Sequence, residues 1–494
     1  MKLHKICATS VLAIAAFSFI TCAPITAARA EPAPELMLNS DGRSLVTKDN
    51  KPFFWLGDTA WNMFYKLNPV SAKQYFLDRK SKSYNVVLAI VLSGAPQQKN
   101  LLGETTLLTQ DPKRPWSAKN PYDPTKPNEK YFANVDALVR EANSLGFVVG
   151  LVPTWAVNVT GANAIFNETN ARVYGEYLGK RYRSSQVVWI LGGDQAATGY
   201  ENVWRAMAEG LSAGDGGKGL KTYHPGIGSS STWFENDKWL SFNSMQSGHS
   251  RTRHVGSEEF DMVAHDYALN PVKPVIDLES GYENIPNGLN QGRTDTTSVP
   301  SDQRLSDYDV RTKAYWSVFS GAFGYTYGAF GVVVFHVPGD SKRWGIDIEW
   351  QKALQFPGAG QMKYLRSLMS GTAMQGRVPA PELIASDPGQ NYNRIMALRS
   401  QDSSHVLVYS TSGQPFKVNL SKLVGHKMIN ARWYNPRVGG YSPIVQITPP
   451  NGSFSALPVT EFVPPSRETS LRPGGIPAAA ISPGHDWVLV LTAF

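Results

Sequence analysis

Cysteine is nearly absent from this chain: among 494 residues there are two, Cys7 and Cys22, and both precede residue 31. The chain beyond that point therefore has no disulfide to constrain it and no thiol to act as nucleophile or soft metal ligand. Charged residues make up only 18% against 42% hydrophobic, a balance that excludes a disordered chain and requires a large core. No run of Lys or Arg occurs, so nothing points to nucleic acid. Several chemistries are missing too, with no G-x-S-x-G elbow, no H-E-x-x-H and no P-loop. "GDGGKG" at 214–219 matches G-x-G-x-x-G in letters only. It follows a helix and precedes a strand, the wrong order for cradling a dinucleotide, and reads as a helix-terminating loop. His224, His249, His265 and His336 lack metal-ligand spacing, although ligands can still meet in space; neither a cofactor nor a metal is expected.

The first thirty residues read as a targeting segment rather than as part of the fold. Lys2 and Lys5 precede the apolar run "VLAIAAFSFI", and "ARA" at 28–30 has the small-x-small form of a signal-peptidase site. That run is too short for a permanent anchor. The expectation is an exported protein, periplasmic or secreted, cleaved near Ala30 and without a membrane span afterwards. A formal charge of +8 falls to +5 once Lys2, Lys5 and Arg29 are removed. Such an excess suits an acidic polysaccharide, and equally a surface of scattered cations. The 13 Trp, 21 Tyr and 21 Phe suit core packing and also stacking on the apolar C–H faces of sugar rings.

From residue 53 to about 330, continuous apolar runs alternate with amphipathic stretches. The strand candidates are "FFWLG" (53–57), "NVVLAIVL" (85–92), "FVVGLVP" (147–153), "QVVWIL" (186–191), "LKTYH" (220–224), "FNSMQ" (242–246), "PVIDLE" (274–279) and "GYTYG" (324–328). Continuous rather than alternating apolarity is expected of parallel strands covered on both faces. Between them, "SAKQ" at 71–74 reads as a capping box with Val70 and Tyr75 as a staple. Phe132, Val135, Leu138, Val139, Ala142 and Leu145 share one helical face, ended by Gly146. Further helical faces fall at 168–182, 199–212, 258–269 and 304–319. The pattern predicts an α/β fold, a (β/α)8 TIM barrel over residues 31–378, with a doubly wound open sheet as the alternative. The connections 93–130 and 284–303 are expected to wall a pocket at the C-terminal ends of the strands. After Pro379 short β runs take over, predicting an all-β sandwich over 379–494.

Barrel enzymes carry reactive groups where strands end, so each exit is informative. The first gives Asp58 and Trp61, the third Trp155 and Asn158, the fourth Asp194 after two glycines, the sixth His249. The seventh gives Glu279, Tyr282 and Glu283, and the eighth Tyr325 and Tyr327. Taken singly, each has a plainer reading: a helix cap, a salt-bridge partner, a packed aromatic. Taken together they place two carboxyl residues, Asp194 and Glu279, across one rim. Glycoside cleavage needs such a pair, one protonated to assist the leaving oxygen and one ionised. The expected roles are Glu279 as nucleophile and Asp194 as acid/base of a retaining enzyme. Asp58, Trp61, Trp155, His249, Tyr282, Glu283 and Tyr327 are expected to shape the sugar site.

The string "DGRSLVTKDNKPFFWLGDTAWNMFYKLN", then "YFLDRKSKSYNVV", resembles the opening of the apiosidase-like glycoside hydrolases. "WILGGD", "MQSGH", "ESGYE", "YTYGA" and "LQFPGAGQMKYLRSLM" continue the resemblance in order. The tail, with "ARWYNPRVGGYSP" and "DWVLVL", is similar to the β-module of this family that bears a collagen-binding label. The resemblance spans about residues 36 to 494. It implies a (β/α)8 catalytic domain acting on plant cell-wall pectin, including release of apiose-linked side chains of rhamnogalacturonan-II. It also implies a catalytic Asp after the fourth strand and a Glu after the seventh, which fall on Asp194 and Glu279. Where the family often has E-P-x-Y-E this chain has E-S-G-Y-E, so a looser loop is expected at Ser280. The expected partner is an oligo- or polysaccharide. The alternatives are an arabinofuranosidase-type enzyme on the same machinery and a non-catalytic carbohydrate- or matrix-binding protein.

Overall fold

The computed structural model describes residues 31–110, 120–251, 258–289, 299–370, 374, 376–423, 428–449, 457, 459–467 and 484–494. The expected signal segment and parts of the long connections at 93–130 and 284–303 lie outside the described residues.

All eight expected barrel strands form. They are β1 (Trp55–Thr59), β2 (Val86–Leu92), β3 (Val148–Thr154), β4 (Val187–Gly192), β5 (Lys221–His224), β6 (Asn243–Gln246), β7 (Val275–Asp277) and β8 (Gly324–Tyr327). Helices α1 (Pro69–Ser81), α2 (Glu129–Ser144), α3 (Glu168–Tyr182), α4 (Glu201–Asp215), α5 (Glu259–Tyr267), α6 (Asp307–Phe319) and α7 (Pro357–Met369) cover them. A two-residue strand, Ser229–Ser230, paired antiparallel with β6, and a 3-10 turn at Ser231–Phe234 join β5 to β6 in place of a helix. The strands do not form one continuous hydrogen-bonded ring. Parallel pairing runs β5-β4-β3-β2-β1-β8 as one arc, and β6-β7 form a separate one.

At both seams a few bonds replace the ladder. Ser241 N donates to Lys221 O at 2.8 Å, and Phe323 N to Val275 O at 3.0 Å. Beside the first seam, hydroxyls satisfy carbonyls that a strand partner would otherwise take: Thr222 Oγ1 bonds Phe242 O at 2.8 Å and Ser244 Oγ bonds Tyr223 O at 2.6 Å. The architecture is thus a parallel sheet in two arcs wrapped by helices, not the closed ring expected.

Side chains alternate in and out along each strand. Trp55, Leu88, Ile90, Val152, Ile190, Phe242, Ile276 and Phe323 fill the interior. Trp55 lies edge-on to Phe242 and Phe323, at 6.2 and 6.1 Å. The opposite faces, with Leu56, Val87, Ala89, Val149 and Leu191, pack under the helices. The helix α1 starts earlier than its sequence signal: Asn68 is the N-cap, paired with Ser71 in the capping box, and Pro69 takes the first turn. Val70 is 81% exposed and forms no staple. In α2 the expected face is buried from Phe132 to Ala142, and Leu145 lies at its edge.

The C-terminal part departs from a free-standing sandwich. Strands β9 (Val378–Pro379), β10 (Ile395–Arg399), β11 (His405–Ser410), β12 (Phe416–Val418), β13 (Ile429–Asn435), β14 (Gly440–Tyr441), β15 (Val445–Ile447), β16 (Thr460–Phe462) and β17 (Trp487–Ala493) make one large antiparallel sheet and a two-stranded one, β12-β16. One face of the large sheet, with Val406, Val408, Leu489 and Leu491, packs with β12. Its other face, with Leu398, Leu407, Tyr409, Val488 and Val490, joins the core of the barrel helices. Every residue of α6 from Tyr308 to Phe319 is buried as a result. Tyr315 stacks on Tyr409 at 4.7 Å. Arg311 grips Asp486 with two bonds of 2.9 Å, both side chains being fully buried.

A second buried ion pair ties β1 to α1. Asp58 accepts from Tyr75 Oη and Arg79 Nε, both at 2.7 Å, with both charged side chains at 0% exposure. Burial pushes the Asp58 carboxyl up despite the pull of Arg79, while at Arg79 burial is overridden by the attraction of Asp58 and its neighbours, which raises the guanidinium. Desolvation and attraction thus oppose each other across the pair. Arg79→Met is expected to cost about 3–5 kcal/mol in urea unfolding, because it strands a buried carboxylate, and Asp58→Leu/Arg79→Met to recover part of that loss. A double variant no more stable than the single one would show that the pair itself is required.

Candidate active site

The exits of β4, β5, β6 and β7 converge on one carboxylate. Glu279, two residues beyond β7, is 4% exposed. Its backbone N–H donates to Asp277 Oδ1 at 3.0 Å, and its carbonyl accepts from Gly248 N at 3.0 Å, which fixes the loop on both sides. Its Oε1 lies 3.0 Å from His249 Nε2 and its Oε2 lies 3.3 Å from His224 Nε2. The first is a hydrogen bond in length; the second is an ion-pair approach whose atoms make no well-directed bond. Burial raises the Glu279 carboxyl, but the two imidazoles outweigh it and hold the group well below the usual carboxylate range. The same contact works in reverse on His224: burial opposes its charge, Glu279 overrides that, and the imidazole is raised above its ordinary value.

Asp194 faces this group from β4. Gly192 and Gly193 take φ of 89° and 128°, and Asp194 itself takes 56°. The glycines are required there: a Cβ on Gly193 would lie 2.6 Å from the Trp155 ring, and one on Gly192 would lie 2.4 Å from His224 O. A non-glycine residue in left-handed geometry is strained, and the surroundings hold it there. The residue is exposed at the rim, with protein packed around its inner side. This burial, then the negative charge of Glu279, pushes the Asp194 carboxyl up to about 6. One oxygen of Asp194, one of Glu279 and a nitrogen of His224 all lie within 4.8 Å of one another. Gln246, at the end of β6, opposes that rise at Asp194 from the side.

Aromatic residues wall the pocket. Trp61 meets Trp155 edge-on at 5.4 Å and His224 at 5.5 Å. Trp61 Nε1 donates to Tyr282 Oη at 3.0 Å, and the Tyr282 ring lies 4.7 Å from that of His249. The negative charge of Glu279 adds to burial in raising the Tyr282 hydroxyl.

Of the nine residues expected at the site, the structure brings together Asp194, Glu279, Trp61, Trp155, His249 and Tyr282. It does not bring in the other three. Asp58 points outward to α1, as described. Glu283 is buried at the start of α7, where it accepts from Tyr327 Oη at 2.6 Å and from Gly358 N at 3.2 Å. Burial pushes its carboxyl up to about 7. Tyr327 is consumed by that bond and by packing against Tyr84. Asp58 and Tyr327 lie on the helix-facing side of their strands, and Glu283, in the loop after β7, turns to the N-terminus of α7. Asn158 ties loops together by donating to Ser93 O at 2.8 Å.

Two pocket residues were missed from sequence, His224 and Gln246. Their signal was position: each ends a strand of the barrel. Ser280 does not loosen the loop. It is fully buried and donates to Tyr325 Oη at 2.6 Å.

Comparison with known proteins agrees with this geometry. The family description "Apiosidase-like, catalytic domain" matches residues 39–375, and "Putative collagen-binding domain of a collagenase" matches residues 378–492. A solved structure titled "Glycoside hydrolase" is 32% identical, with a TM-score of 0.78 over 93% of this chain and 97% of its own. A glycoside hydrolase family 5 structure from Bacteroides vulgatus ATCC 8482 is also 32% identical, with a TM-score of 0.78 over 94% of this chain and 95% of its own. Among curated proteins none matches. A catalytic-domain match over most of the chain, and relatives of this identity along nearly all of it, show that the protein belongs to the apiosidase-like glycoside hydrolases.

Proposed function

We propose that the protein is a retaining glycosidase of plant cell-wall pectin, of the apiosidase-like kind that acts on rhamnogalacturonan-II side chains, and that it works outside the cytoplasm. The observation that carries the mechanism is the facing pair Asp194 and Glu279, with oxygens within 4.8 Å of each other. That spacing suits the ~5–5.5 Å of double displacement rather than the ~6.5–9.5 Å that leaves room for a water. The two environments separate the roles. Asp194, pushed up to about 6, keeps a proton in mildly acidic solution; Glu279, held low by His224 and His249, stays ionised.

Asp194 protonates the glycosidic oxygen as Glu279 attacks the anomeric carbon. A glycosyl ester forms on Glu279, the alcohol leaves with the proton, and Asp194 as base then activates the water that cleaves the ester. Trp61 and Trp155 offer apolar faces to the sugar ring, and Tyr282 holds Trp61 in place. The two arcs of strands act as one barrel around this centre. The pectic substrate is supported by the family match and by a cationic chain, +8 in formal charge and +5 without Lys2, Lys5 and Arg29. Export is supported by Lys2, Lys5, the apolar run and "ARA" at 28–30. No helix among the described residues is long and apolar enough to cross a membrane.

Pectic oligosaccharides, including rhamnogalacturonan-II fragments, incubated with the protein and followed by NMR should release a sugar whose first-formed anomer has the configuration of the substrate. The inverted anomer would end the retaining assignment. Asp194→Asn and Glu279→Ala are each expected to lower kcat/KM by at least about 10²–10⁴-fold while substrate binding persists in calorimetry. Binding without sugar release in the unaltered protein would instead indicate a carbohydrate-binding protein. Measured in EDTA, kcat/KM should be highest below pH about 6 and fall tenfold per unit above it, as Asp194 loses its proton. A profile flat through that range would remove Asp194 as the acid.

A further inference from the structure

Asp194, His224 and Glu279 come from three different strand exits, yet one ligand atom of each lies within 4.8 Å of the others. One imidazole nitrogen and two carboxylate oxygens are a donor set for borderline divalent cations such as Zn2+. His224 is already oriented for that task. Its Nδ1 lies 3.1 Å from the Pro225 carbonyl, which can only accept, so Nδ1 carries a proton and Nε2 is the nitrogen turned into the pocket, where a cation would take the place of its proton. A far nitrogen bonded to a backbone carbonyl is how metal-binding histidines are held.

Two further observations point the same way. His224 Nε2 and Glu279 Oε2 are buried without a well-directed hydrogen bond. They are 3.3 Å apart, close to the spacing of two ligands each about 2.0–2.1 Å from a tetrahedral Zn2+. Glu279 is turned to offer that oxygen because His249 holds its other one, Oε1, at 3.0 Å. Asp194, exposed at the rim, gives access from solvent and leaves a fourth position for water.

We propose that Asp194, His224 and Glu279 bind a divalent transition-metal cation, with Zn2+ as its probe, and that this cation reversibly switches hydrolysis off. A cation bridging the pair takes both catalytic carboxylates at once: Asp194 cannot carry the proton, and the Glu279 lone pair is withdrawn from the anomeric carbon. The inhibitory half rests on the glycosidase reading above; the binding half does not.

The test uses the full chain stripped with EDTA. Calorimetric titration with zinc chloride should show one equivalent bound, and diffraction at the zinc edge of zinc-soaked crystals should place it about 2 Å from His224 Nε2. His224→Gln and Asp194→Asn should each weaken binding by more than about tenfold, with folding checked by circular dichroism. His265→Gln, which alters a histidine outside the pocket, should leave it unchanged. Should His224→Gln fail to fold, the zinc position in the unaltered protein decides alone. No binding at millimolar zinc, a zinc peak elsewhere, or binding indifferent to Asp194 and His224 overturns the site. Sugar release should stop at one equivalent and return with EDTA; release that persists with zinc bound overturns the switch. Zinc bound in the pocket with no sugar released from any glycan would count against the glycosidase reading and leave the cation site standing.

Discussion

A carboxylate at 4% exposure keeps its charge here because two imidazoles face it, one on each oxygen. Without them, desolvation alone would drive Glu279 to hold a proton. Much of the pocket follows from this one arrangement. The anion on Glu279 adds to burial in pushing the Asp194 carboxyl up to about 6. It raises His224 on one side and adds to burial in raising the Tyr282 hydroxyl on the other. Tyr282 in turn fixes Trp61, which meets Trp155 edge-on and so sets the wall where a sugar ring would lie.

The same strands carry a second set of polar residues with a different task. Side chains of a strand alternate between the pocket and the helices, so a carboxylate one residue out of phase leaves the site altogether. Asp58 faces α1 with Arg79; Glu283 closes the first turn of α7, offering an acceptor to an N–H with no partner inside its helix. Both carboxyls are raised by burial, as Asp194 is. A perturbed acid near a strand end is therefore no marker of catalysis by itself. Asp194 and Glu279 differ in lying against each other, an oxygen of one within 4.8 Å of an oxygen of the other.

Much of this was legible in the sequence, for identifiable reasons. Runs such as "NVVLAIVL" announce buried parallel strands because both their faces are covered, and the alternating stretches announce the helices between. The Gly-Gly before Asp194 announced a sharp turn. What the sequence concealed was phase. Asp58 and Tyr327 stand at strand ends like true site residues, but their neighbours Gly57 and Thr326 take the inward positions, where Thr326 bonds Trp55 at 3.1 Å. His224 was overlooked because its strand, "LKTYH", is weakly apolar and a single histidine has no spacing to recognise. The broken ladder at both seams was equally hidden, since it depends on which hydroxyls reach which carbonyls.

The helix α6 carries a consequence of its own. It follows the strand that leads into Glu279, and it is buried all round because the barrel packs on one side of it and the C-terminal sheet on the other. A helix buried on every face, with Arg311 and Lys313 paired to Asp486 and Glu259 inside the protein, has no surface to give to water. The two modules therefore share a party wall rather than a hinge. A protease that nicked the connection near Pro379 would leave the pieces clamped together, and heating should melt them in a single calorimetric transition, as one cooperative body instead of an enzyme with a detachable appendage.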